Sequence, residues 1–125
     1  VTAATVEADS IAPLVALVRN GRAVGQERAA RALANLARGS SANQAAIVEA
    51  GGIAPLVELV RNGHAAGKER AAEALRNLAQ ENAAIQAAIV EAGAIPPLVA
   101  LVTSGAAGGR QEAAGALHAV PQSKS

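Results

Sequence analysis

The sequence predicts an all-α solenoid of about nine helices in three stacked units. Three observations carry that prediction. First, the stretches "IAPLVALVRNGRAVGQERAARALANLA" from Ile11, "IAPLVELVRNGHAAGKERAAEALRNLA" from Ile53 and "IPPLVALVTSGAAGGRQEAAGALHAV" from Ile95 repeat one another every 42 residues. A fixed period of that size is the mark of a repeat architecture in which each unit buries its apolar face against the next. Second, no segment shows the strict apolar–polar alternation of a half-buried strand. Third, glycines recur at the same offset in every unit and punctuate the apolar runs, as helix ends require. The expected organisation is one domain over residues 1–120, with units at about 1–39, 40–81 and 82–120 and a tail at 121–125.

Each unit divides into three helical pieces. Residues 2–10 read as the end of a first helix, and "NQAAIVEAG" (43–51) and "IQAAIVEAG" (85–93) as its complete counterparts. Gly51 and Gly93 close these pieces, where glycine suits a left-handed cap and a sharp bend into the next element. The second piece, as in "IAPLVELVRNG", carries a proline near its start, where first-turn N–H groups have no intrahelical partner to lose. Leu56, Val57, Leu59 and Val60 leave it little polar face, so it should be buried between neighbours. Its β-branched residues raise the alternative of a strand, against which stand the missing alternation and the proline at every start.

The third piece is amphipathic. In "GQERAARALANLAR", Ala29, Ala30, Leu33, Leu36 and Ala37 form one apolar stripe at helical spacing. Arg28, Arg31, Asn35 and Arg38 fall at i, i+3, i+7 and i+10 and form a polar stripe on the same helix. The second unit places Arg70, Glu73, Asn77 and Gln80 there, so stacking should set the stripes side by side as a ladder. The third unit breaks the ladder with Glu112, Gly115 and Ala119, and its fourth position is Gln122, beyond Pro121.

Composition narrows the function classes. With 51% hydrophobic residues, 125 residues suffice for one core. Phe, Tyr, Trp, Cys and Met are all absent, which excludes disulfides, thiol nucleophiles and cysteine-based zinc sites. The 11 basic and 10 acidic side chains are interspersed and leave a net charge of +1, which is neither a nucleic-acid footprint nor a polybasic membrane patch. The stretch "RNGHAAGKER" at 61–70 superficially suggests a phosphate loop, but only three residues separate Gly63 from Gly67, and Glu69 follows Lys68. Lys68 is also Gln26 and Arg110 in the other units, so an inter-helix turn is the better reading. His64 and His118 belong to no recurring carboxylate or serine constellation, so no enzyme, metal or cofactor is implied. The opening "VTAATVEADS" lacks the basic start of a secretory signal, and runs such as "IAPLVALV" are too short to span a bilayer. The expectation is a soluble intracellular protein, cytoplasmic or nuclear.

The period, the three-helix division and the words "AAIVEAGAIPPLVALV" and "ERAAEALRNLA" resemble armadillo repeats, most of all the plant and algal style with its "GAIPPLV" opening. Two-helix HEAT repeats are the nearest rival, and the short extra helix ending in Gly51 or Gly93 argues against them. The resemblance implies a right-handed superhelix whose third helices line a concave groove, where an asparagine holds the backbone of an extended peptide. Asn35 and Asn77 match that asparagine, and Ala119 replaces it in the third unit. Four residues earlier, where peptide-binding members often carry tryptophan, this sequence has Arg31, Glu73 and Gly115. The resemblance thus implies a binding module for an extended protein segment, with Arg28, Arg31, Asn35, Arg38, Arg70, Glu73, Asn77 and Gln80 as groove residues. The arginines suit an acidic or phosphorylated partner, because guanidinium pairs carboxylate and phosphate bidentately. The plainer alternatives are that the asparagines satisfy backbone groups and that the arginines form a solvated helix face.

A structural or engineered solenoid fragment without a ligand of its own is the competing function. The first two units agree at most positions, the chain starts midway through a unit, and neither end reads as a polar capping repeat. Val1, Val6 and Ala8 at the start, and Ala113, Ala116, Leu117 and Val120 at the end, are then expected on uncovered apolar faces that pair the chain as a homodimer.

Overall fold

A computed structural model of the chain describes the backbone of residues 3–120 and the side chains of residues 10–120. Eight helices follow one another, with no strand among the described residues: α1 (Ala3–Asn20), α2 (Ala23–Ala37), α3 (Ser41–Glu49), α4 (Ile53–Asn62), α5 (Ala65–Leu78), α6 (Ala83–Glu91), α7 (Ile95–Ser104) and α8 (Ala107–Ala119). The third helices pack in sequence, α2 on α5 and α5 on α8, and the second helices do the same, α1 on α4 and α4 on α7. One continuous core runs between these two layers, built of Ile, Leu, Val and Ala.

Eight helices rather than about nine arise because the first two pieces of unit one form a single helix. In later units the chain turns at Gly51 (φ 78°) and Gly93 (φ 84°), left-handed conformations open to glycine but costly for a residue with a Cβ. The bend this permits between α6 and α7 is 81°. Asp9 and Ser10 occupy the equivalent positions of unit one, and there a single helix continues through Pro13. Gly52 continues the turn after α3, where a Cβ would lie 2.7 Å from Ile47 Cγ2.

The units are joined by repeated polar devices. Gln44 Nε2 donates to the Ala37 carbonyl at 2.8 Å, and Gln86 Nε2, one period later, donates to the Ala79 carbonyl at 2.8 Å. Each glutamine on a first helix therefore satisfies an end carbonyl of the preceding third helix. Ser40 and Asn82 cap the N-termini of α3 and α6 through the backbone N–H groups of Asn43 and Ile85.

The expected terminal faces need correction. Ala113, Ala116 and Val120 are buried and Leu117 is packed against the core, because α8 turns these residues inward. The side chains of Val1, Val6 and Ala8, the 121–125 tail and Gln122 lie outside the described residues.

Candidate functional site

The polar stripes meet where α2, α5 and α8 lie side by side. On α2 the four stripe residues, Arg28, Arg31, Asn35 and Arg38, are all exposed. Arg38 stands at the C-cap of α2 in extended conformation, its side chain 66% exposed, with Nη2 3.4 Å from Glu73 Oε2. Arg28 and Arg31 make no ion pair among the described residues, so their guanidinium groups face water.

The stripe on α5 departs from expectation. Glu73 is buried, and its second oxygen, Oε1, lies 3.1 Å from Arg70 Nη1. Asn77 is buried as well, and its Nδ2 donates to the Ala34 carbonyl on α2 at 2.8 Å. Small residues permit this, since Ala34 and Ala74 are both fully buried and let the third helices approach closely. Gln80 alone of the four remains exposed. The stripe is therefore largely a seam between α2 and α5.

A second seam joins α5 to α8, and it was not legible in the motif. Arg76 Nη1 lies 3.1 Å from Glu112 Oε1, close enough for an ion pair, although that buried oxygen has no well-angled hydrogen bond. Gly115 makes the approach feasible, because a Cβ there would stand 2.5 Å from Arg76 Cδ. Burial pushes the Glu112 carboxyl above its ordinary pKa; Glu73 and Glu69 reinforce the rise, while Arg76 and Arg70 oppose it. The paired occurrence of Arg76 with Gly115, three residues short of a full period apart, was the available signal for this seam.

Arg38, Asn77 and Gln80 come together with Arg76 around an open depression of about 670 Å³ between the C-terminal ends of α2 and α5. Arg28, Arg31 and Asn35 stand apart from it on α2, and Arg70 and Glu73 form their own pair. Two other depressions, related by the repeat, lie between α1 and α4 and between α4 and α7, and neither includes a stripe residue. No group of three or more His, Asp or Glu side chains among the described residues is placed to hold a metal ion. Nor is any single helix there long and apolar enough to cross a membrane.

The profile of the armadillo/beta-catenin-like repeat matches residues 40–80 and 82–118, the two units whose first helices are bent away from their second. The chain belongs to the armadillo repeat family. No curated protein sequence matches it. Solved structures do match this armadillo chain. One, an engineered protein from a structural genomics consortium, is 37% identical at a TM-score of 0.84 over 88% of this chain and 44% of its own. A structure of computationally designed armadillo repeat proteins for modular peptide recognition is 30% identical at a TM-score of 0.85, over 93% and 49%. A designed armadillo repeat protein in complex with the peptide (KR)4 is 31% identical at a TM-score of 0.84, over 91% and 48%. The chain spans about half the length of these structures.

Proposed function

We propose that the third-helix face binds an extended segment of a partner protein, and that acidic or phosphorylated segments are preferred. The observation that carries this reading is the difference between successive units. Arg28 and Arg31 project into solvent from α2 without a carboxylate partner among the described residues, whereas Arg70 is closed onto buried Glu73, and Arg76 is set against Glu112. Positive charge left uncompensated on one face attracts carboxylate or phosphate, and the guanidinium fork pairs either bidentately. Asn35 lies between the arginines with its amide exposed and can hold a peptide backbone.

The designed relative in complex with (KR)4 took a basic peptide. The charge arrangement on α2 favours the opposite preference here. Without Trp or Tyr the groove lacks the usual anchors of tight interfaces, so affinity should be modest and salt-sensitive. The role is that of a binding module and not of an enzyme.

Labelled peptides of matched length, one poly-acidic and one poly-basic, titrated at low and moderate salt, test the reading. Tighter binding of the acidic peptide, weakened by salt, is expected; equal or reversed affinity contradicts it. The agreement of units one and two at most positions, together with engineered chains among the structural relatives, favours a second reading: an engineered array without a ligand of its own. Failure of both peptides to bind at any salt concentration would select it.

A further inference from the structure

We propose that the depression between α4 and α7 binds a small amphipathic carboxylate, an organic acid with a compact apolar body, and that Lys68 holds its carboxylate. The repeat itself supplies the comparison that singles this depression out. Its volume is about 380 Å³, and that of the depression between α1 and α4, one period earlier, about 450 Å³. Both fall in the range of small-molecule sites, about 300–1,000 Å³. Leu59 and Leu101 stand at matching places in the two, as do Pro55 and Pro97. Their charges differ at two positions: Gln26 of the first is Lys68 in the second, and Glu58 is Ala100.

Both changes move the charge the same way. In the first depression Gln26 Nε2 is occupied by the Val18 carbonyl at 2.9 Å, and Arg19 is balanced by Glu58. The second is lined by Arg61 and Lys68 and by no carboxylate. Arg61 is already engaged, its Nη1 2.9 Å from Glu58 Oε1 on the same helix. Lys68 is half-buried and makes no ion pair among the described residues. An ammonium partly withdrawn from water attracts an anion more strongly than one at open surface, because solvent screens it less. The walls decide which anion. Pro96 stands where the first depression has Ala54, and with Pro97, Ala100 and Leu101 it makes an apolar surface that a bare phosphate would leave uncovered. A ligand apolar at one end and anionic at the other removes that surface from water while its carboxylate meets Lys68.

The site stands independently of the groove, since no stripe residue lines it, and the chain's lack of Phe, Tyr and Trp makes the test direct. Only His64 and His118 contribute aromatic ring protons, so a phenyl ligand is observed by NMR against an almost empty background. Phenylacetate is titrated into the whole chain, with neutral phenylacetamide and inorganic phosphate as comparisons. The acid should bind saturably and about fivefold more tightly than either. Lys68→Gln installs the residue of unit one and should lower its affinity about fivefold with helicity unchanged. Ala100→Glu, at an exposed position, restores the carboxylate of the first depression and should lower it likewise. Arg28→Glu/Arg31→Glu, on the third-helix face, should leave binding as it was, which separates this site from the groove. Four results would overturn the proposal: no saturable binding of the acid, equal binding of the amide or of phosphate, undiminished affinity in Lys68→Gln, or loss of binding in the Arg28→Glu/Arg31→Glu protein.

Discussion

Asn35 and Asn77 occupy the same position in successive units and do different work. Asn77 is buried and donates to the Ala34 carbonyl on α2, whereas Asn35 is exposed on α2. Replacing Asn77 by Ala leaves a buried acceptor unpaired and should lower stability by about 1–3 kcal/mol. Asn35→Ala should stay within about 0.5 kcal/mol of the parent while weakening peptide binding. Urea midpoints separate the two, and equal losses would contradict the assignment. The sequence spacing picked out both asparagines. It could not distinguish them, because that depends on a neighbour 43 residues away in the chain. Glu112 offers a second test at this scale. Its folded pKa lies above the ordinary value because of burial, so the folded state holds the proton more tightly than the unfolded chain. Stability associated with it is therefore present below the ordinary carboxylate pKa and lost as pH rises through the folded one. Measured against Glu112→Gln, the parent should gain stability as pH falls from neutral into the carboxylate range. A pH-independent difference, or one of opposite sign, would refute this.

Helix ends in this chain are set by which glycines are present and by what fills the space beside them. Position 25 illustrates the point. Gly67 and Gly109 sit one and two periods later and are filled by Leu59 and Leu101, whose Cδ1 atoms would stand 3.3 and 3.2 Å from an added Cβ. At Gly25 nothing lies within 4 Å, and Leu17, the matching leucine, is 46% exposed. Gly25→Ala should therefore stabilise α2 by up to about 1 kcal/mol through helix propensity and raise the melting temperature by a few degrees. Gly93→Ala should do the reverse, since φ of 84° is strained for any residue with a Cβ. Circular dichroism melts check both, and a lower melting temperature for Gly25→Ala would contradict the argument. The glycine caps at 51 and 93 were legible because glycine past an apolar run has few other uses. The fusion of the first two pieces was less so, since it depends on Asp9 and Ser10 standing where later units have glycine or a small residue.

At the scale of the whole molecule, the 42-residue period made the solenoid legible, because a repeat of that length can bury its apolar faces only by stacking. Which residues end up facing a neighbour was less accessible. Ala113, Ala116 and Val120 share a stripe that α8 turns inward, and Val99 and Ala114 lie outward, a distinction fixed by helix rotation and not by apolar character. The groove followed the same logic. Eight polar positions were readable from spacing, but packing drew Glu73 and Asn77 into the seam and left the uncompensated charge on α2. The central claim is that this residual charge sets what the groove accepts, and reversing it is the most direct test. Titrating the matched acidic and basic peptides into the Arg28→Glu/Arg31→Glu protein, with the fold verified by circular dichroism, should invert the preference. An unchanged preference for the acidic peptide would contradict the account, because it would place the recognising charge somewhere other than α2.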